Sequence, residues 1–322
     1  MDNPAQALVY NAPGQARIET VSVGDDGVLV HSLFGSISRG TERLVFDGRV
    51  PEREHARMRA PFQVGEFSFP VRYGYATVGR VADGPDALQG RQVFALHPHQ
   101  TTFRVPAEAV TPLPEDLPAA RAVLAANMET ALNAIWDADL RPGMRVLVVG
   151  AGLLGWLVTA LLSRRSDLSV DITDIRDEPG VKADDFGVRF VTPRDVVSGA
   201  YDVAFHSSAS AGGLTTALDA LSFEGTVIEL SWYGSAMPAL PLGGAFHAQR
   251  LTIRSSQVGH VAPARRARFG FRQRMAAALS ALADPRLDTL VTEDVKFLDL
   301  PETLPRLLAP HAPGIATRIV YD

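Results

Sequence analysis

The chain has 322 residues, no cysteine, and 31 Lys and Arg against 36 Asp and Glu, a formal charge of −5. Its 46% apolar and 21% charged content is that of an ordinary globular protein, with length for about two domains. Disulfides, a thiol nucleophile and thiolate metal sites are excluded, and the mildly acidic balance carries no footprint for nucleic acid.

Met1–Tyr10 carries Asp2 and Pro4 and lacks the basic-then-apolar order of a signal peptide. The longest uncharged run, Val146–Leu162, is interrupted by glycines and falls short of the ~20 apolar residues of a membrane span. A cytoplasmic protein without membrane or nucleic-acid partners is expected. Ala7–Tyr10, Val28–Leu33, Ala76–Val81 and Gln92–Leu96 read as short strands punctuated by Pro and Gly. Pro112, Pro114 and Pro118 mark a junction. Ala119–Ala138 then reads as a helix ending before Arg141-Pro142-Gly143.

From Arg145–Val149 onward, strands and helices alternate. Leu153–Ser163 is helical, Ser169–Thr173 and Tyr201–Phe205 are strands, and Gly213–Leu221 is a helix. Gly225–Leu230 and Leu251–Ser255 are further strands. This order is the signature of βαβ units and a parallel sheet. The last stretch reads as an Arg-rich helix, Ala264–Leu282, with Arg265, Arg266, Arg268, Arg272 and Arg274 on a solvated face. Strands at Thr289–Phe297 and Ile315–Tyr321 then flank a helix at Leu300–Leu308. The expected class is α/β: a β-rich domain over 1–120, a doubly wound dinucleotide-binding domain over 121–257, and a return to the first domain over 258–322.

Val146–Gly155 carries the most specific motif. Four apolar residues lead into Gly150-Ala151-Gly152-Leu153-Leu154-Gly155 and an apolar helix, which is the context a GxGxxG demands. Gly150 permits the tight turn, Gly152 lets backbone approach a pyrophosphate, and Gly155 lets helix pack on strand. The helix N-terminus at Leu153 and Leu154 offers unpaired N–H groups to phosphate. Asp174 stands 24 residues after Gly150, at the end of the next strand. A carboxylate there accepts from both ribose hydroxyls and repels a 2′-phosphate, which favours NAD over NADP. Arg176 is a competing feature, because a nearby Arg accommodates that phosphate. Ser207, Ser208, Ser231 and Trp232 follow two further strands, where ligands of parallel sheets bind. Ordinary loop polarity is the alternative for each serine.

With these pieces in order, the chain resembles the medium-chain dehydrogenase/reductase superfamily over essentially its full length. Ser36-Ile37-Ser38-Arg39-Gly40-Thr41-Glu42 is similar to that family's Gly-Ile-Cys-Gly-Thr-Asp segment, and Tyr73-Gly74-Tyr75-Ala76 to its Gly-His-Glu motif. Ser36–Arg49 is most similar to the bacteriochlorophyllide dehydrogenase branch; the pigment substrate is not carried over. The resemblance implies a GroES-like catalytic domain beside a Rossmann domain, a small-molecule substrate, and a homodimer or homotetramer.

The departures are specific. Arg39 takes the position of the first catalytic-zinc Cys, Tyr75 that of the His, Ala76 that of the nearby Glu and Ala126 that of the second Cys. The lobe for a structural zinc is missing, so no zinc is expected. Alternation puts His97 and His99 on one side of a strand, with Glu66 as the acidic candidate, but no third ligand stands at recognisable spacing. Without zinc, the substrate oxygen needs another donor. Arg39, Tyr75, His97 and His99 are candidates, and Thr41 matches the family's proton-relaying hydroxyl. Packing is the alternative for Tyr75, and a surface pair with Glu42 for Arg39. A zinc-independent oxidoreductase is therefore expected, with a catalytically inactive dinucleotide-binding sensor or structural protein as the alternative.

Overall fold

The alternating apolar segments after residue 144 assemble as six parallel strands. They are β1 (Arg145–Val149), β2 (Ser169–Thr173), β3 (Arg189–Val191), β4 (Tyr201–His206), β5 (Leu221–Glu229) and β6 (Thr252–Ser255). In this computed structural model, which describes residues 4–176 and 180–321, they lie in the order β3-β2-β1-β4-β5-β6. All five pairings are parallel. This is the doubly wound order, and its reversal between β1 and β4 makes the crevice where ligands bind. Val146–Val149 are all buried, as befits a central parallel strand covered on both faces. Helix α1 (Leu153–Leu162) follows β1, α2 (Gly180–Phe186) precedes β3, and α3 (Ala211–Ala220) joins β4 to β5. Leu214, Ala217 and Leu218 of α3 pack with Leu147, Ala204 and Val227 of the sheet.

These elements belong to a unit spanning Asn127–Leu290. The residues up to Ala126 and those from Val291 onward form the other unit. Residues 258–290, expected with the β-rich domain, thus cluster with the parallel sheet.

Two expected helices are corrected. Ala119–Ala138 divides into Ala119–Ala122 and Ala125–Asp137. Val123 and Leu124 at the break are fully buried, so packing overrides local propensity there. The Arg-rich stretch is a short 3₁₀ turn, Pro263–Arg265, and then a helix only from Phe271 to Ala281, with Gly270 at its N-cap. Arg265, Arg266 and Arg268 therefore precede the helix. Arg274 lies on no solvated face. It is buried, 3.0 Å from Glu129 and 2.7 Å from Asn133, and ties Ala125–Asp137 to the later helix. A buried guanidinium needs such partners to offset its lost hydration.

The other unit is β-rich. Its larger sheet runs Val291–Lys296, Ala316–Val320, Val28–Ile37, Thr77–Asp83, Gln92–Ala95, Val110–Pro112, and Thr102–Val105 also pairs with Val28–Ile37. Val28, Val30, Val81, Val93, Phe103 and Val105 form its core. A smaller sheet is built on Ala5–Ala12. Among the described residues, no helix is long and apolar enough to cross a membrane.

Candidate dinucleotide turn and hydroxyl cluster

Gly150 sits at φ 105°, which only glycine adopts readily. A Cβ on Gly155 would come 1.8 Å from the Gly150 carbonyl oxygen, so α1 packs on the turn as the motif requires. A Cβ on Gly152 would meet nothing within 4 Å. The turn leaves open space at the position where a pyrophosphate approaches backbone, and the residues present fit a dinucleotide. Leu153 and Leu154 open α1, whose first N–H groups have no partner within the helix.

Asp174 follows β2 and closes on this turn. One carboxylate oxygen accepts from Ala151 N–H at 2.7 Å; the other accepts from Arg176 Nε at 3.0 Å. Burial pushes the Asp174 carboxyl up, but the bonds from Arg176 and Ala151 outweigh it and hold it below the ordinary carboxylate range. Asp171, on the opposite strand face, is occupied by Arg189 and the Tyr201 hydroxyl.

Ser207 hydroxyl donates to Gly150 O at 3.1 Å and braces the turn. Ser208 hydroxyl faces the buried His206, with Oγ 2.7 Å from Nε2. Ser231 Oγ accepts from Ala209 N–H at 3.1 Å, and Trp232 beside it is half-buried.

In the β-rich unit, helix Arg39–Phe46 carries a buried carboxylate. Glu42 accepts from Tyr10 hydroxyl at 2.9 Å and from Ser38 N–H at 2.8 Å, and lies 3.0 Å from His99 Nε2. Burial pushes its pKa up, yet His99 and these hydrogen bonds leave it lowered. The Ser38 and Thr41 side chains lie close enough to the Tyr75 hydroxyl to favour its ionised form. Burial, and then Glu42, push the Tyr75 pKa up to about 12, so the phenol keeps its proton. Ser38, Thr41 and Tyr75 thus form a hydroxyl cluster near a buried carboxylate.

Three expected candidates stand elsewhere. Arg39 donates to Pro313 O at 2.6 Å and to Thr317 Oγ1 at 3.0 Å, tying the helix to the C-terminal segment rather than to Glu42. His97 stacks on Phe103 with ring centroids 3.9 Å apart, and burial pushes its pKa down to about 4. A ring so disposed to stay neutral is a poor acid near neutral pH. His99 is fully buried against Glu42. His97 and His99 do not form the expected pair. They follow the strand Gln92–Ala95 rather than lying in it, so alternation does not apply. Glu66 pairs with Arg59 instead.

The comparisons place this architecture. No family model matches the chain. The curated (R,R)-butanediol dehydrogenase of Bacillus subtilis is 24% identical over 277 residues, 72% of this chain and 76% of that protein. L-idonate 5-dehydrogenase from Escherichia coli superposes with a TM-score of 0.78 at 16% identity, over 99% of both chains. Alcohol dehydrogenase from Thermus sp. ATN1 gives 0.74 at 18% identity, over 98% of this chain and 100% of that one. The chain has the fold of these dehydrogenases.

The residues that the sequence resemblance sets at zinc positions, Arg39, Tyr75, Ala76 and Ala126, offer a guanidinium, a phenol and two methyl groups. This donor set does not suit zinc, which takes His, Cys and carboxylate. Among the described residues, no group of three His, Asp or Glu side chains could hold a metal. Sequence reasoning overlooked Glu42 as a buried acceptor, and it missed the His206–Glu229 contact of 2.8 Å. The signal for the first was its place in the Asp position of the resembled motif. The second joins two strands 23 residues apart, and no local pattern announces it.

Proposed function

We propose that the chain is a zinc-independent, nicotinamide-dinucleotide-dependent oxidoreductase acting on a small or medium carbonyl, alcohol or activated alkene. The observation that carries this is Tyr75, a phenol kept protonated beside Ser38 and Thr41, at the position the sequence resemblance gives to a zinc-binding His. When bound, the cofactor supplies the hydride chemistry. Tyr75 donates its proton to the substrate oxygen as charge develops, and Thr41 and Ser38 orient that hydroxyl. Burial, and then Glu42, keep Tyr75 in its phenol form. Gly150, Gly152 and the first amides of α1 would hold the pyrophosphate, and Asp174 would accept from the ribose.

Solved neighbours hold NADH in one case and NADPH in another. Here Asp174 supports NAD. Arg176 is engaged with Asp174, and releasing it to a 2′-phosphate would break a 3.0 Å ion pair. Fluorescence titration is expected to show tighter binding of NADH than NADPH. Equal affinities would show that Arg176 overrides the carboxylate.

The decisive experiment screens carbonyls, alcohols and enones with chelator-treated protein, following NADH oxidation or NAD⁺ reduction. Activity is expected without zinc, and Tyr75→Phe should lower kcat by about 10²-fold with little change in dinucleotide affinity. Dinucleotide binding with no turnover of any class would favour the sensor reading. Stoichiometric zinc in purified protein would overturn the zinc-free one. The expected dimer or tetramer is checked by light scattering.

A further inference from the structure

The unit spanning Asn127–Leu290 holds a chain of polar side chains at the ends of β4 and β5. His206 ends β4 and is fully buried. Its parallel-register partner at the end of β5 is Glu229. Nδ1 of His206 lies 2.8 Å from a Glu229 oxygen, and Nε2 lies 2.7 Å from Ser208 Oγ. A carboxylate can only accept, so Nδ1 bears the hydrogen in the neutral ring. Nε2 then offers its lone pair to the Ser208 hydroxyl. Glu229 is itself fixed by Ser231 N–H at 2.7 Å and by Tyr233 hydroxyl at 3.3 Å. This is the serine–histidine–carboxylate order, in which the base takes the hydroxyl proton and the acid sets the tautomer.

Three more observations point the same way. Ser208 is an exposed residue although the base behind it is buried. Ala209, the next residue, sits at φ 52°, a left-handed conformation rare for alanine and of the kind that collects at functional sites. A Cβ on Gly213 would come 2.2 Å from Ser208 Oγ and 3.0 Å from His206 Nε2, so glycine keeps space clear around the pair. Ser210, 3.0 Å from Ser208 Oγ, caps α3 through Gly213 N–H. The first helix amides after that cap, at Ala211 and Gly212, lie outside the helix's own ladder and are suited to a developing oxyanion.

We propose that Ser208 is an activated nucleophile, and that Ser208, His206 and Glu229 transfer the acyl group of small esters to water. Ser208 Oγ attacks the ester carbonyl carbon while its proton passes to His206 Nε2. The ester C–O bond breaks, His206 returns the proton, and the alcohol leaves. Water then attacks the acyl-serine through the same base, releasing the carboxylic acid and restoring the hydroxyl. No oxidant or reductant enters, so this activity stands apart from the redox reading.

The test uses the full chain with p-nitrophenyl acetate and a fluorophosphonate probe, read by absorbance, intact mass and peptide mapping. The expected result is one phosphonyl adduct, on Ser208, and ester hydrolysis that Ser208→Ala abolishes. Glu229→Gln keeps the side-chain shape and should slow labelling by about 10²-fold, with His206→Gln slower still. Thermal melts of each variant separate loss of chemistry from loss of fold. The absence of an adduct at saturating probe would overturn the proposal. So would labelling at an unchanged rate in folded Glu229→Gln, or hydrolysis that survives Ser208→Ala.

Discussion

His97 lies among aromatic rings, 3.9 Å from the Phe103 centroid and 5.8 Å from that of Phe62. Burial pushes its pKa down to about 4, whereas an unfolded His titrates near 6.5. Between those values the unfolded chain binds a proton that the folded chain refuses. His97 therefore contributes stability above about pH 6.5 that is lost as pH falls toward 4. His97→Phe keeps an aromatic ring in the stack and removes the titration. Its urea midpoint should depend less on pH than that of wild type across this window, and identical slopes would contradict the buried-neutral state. Both histidines were identifiable in the sequence, but their roles were not. Two residues apart, His97 meets aromatic faces and His99 meets a buried carboxylate, because Pro98 separates them and neither lies in a strand.

At the scale of elements, the strand–turn–helix from Arg145 to Leu162 behaves as its glycine spacing requires. The three glycines are not equivalent, and substitution should separate them. Gly155→Ala puts a methyl 1.8 Å from a backbone oxygen, so the turn must move, at a cost of about 1–3 kcal/mol. Gly152→Ala meets no protein atom within 4 Å. It should melt like wild type yet bind NADH about tenfold or more weakly, since the methyl enters the space for pyrophosphate. Calorimetric melts and fluorescence titration check the pair, and normal NADH affinity in folded Gly152→Ala would count against the site. Strands with strong alternation or continuous apolar runs were recognisable from sequence. Helix boundaries were less so. Ala119–Ala138 has uniform helix-forming composition, and only the burial of Val123 and Leu124 explains its break.

At the scale of the molecule, the C-terminus completes the β-rich unit. Ala316–Val320 pairs with Val28–Ile37 on one side and Val291–Lys296 on the other. Arg39 reinforces this closure by donating to Pro313 O and Thr317 Oγ1. Arg39→Ala should therefore act on stability, costing about 1–3 kcal/mol, and leave dinucleotide affinity unchanged. Denaturation and NADH titration distinguish this from a role in the chemistry, which would lower turnover in a variant of unaltered stability.

By itself the sequence determined the parallel sheet and the glycine turn after its first strand. Each depends on residue types at short spacing, where period and glycine geometry act locally. The tertiary structure alone decided which polar groups face one another. It turned Arg39 from a candidate donor into a clamp, buried Arg274 against Glu129, set Tyr75 on Ser38 and Thr41, and aligned Ser208, His206 and Glu229 across two strands. Those partners are distant in the chain, and only packing brings them within the ~3 Å at which hydrogen bonds act.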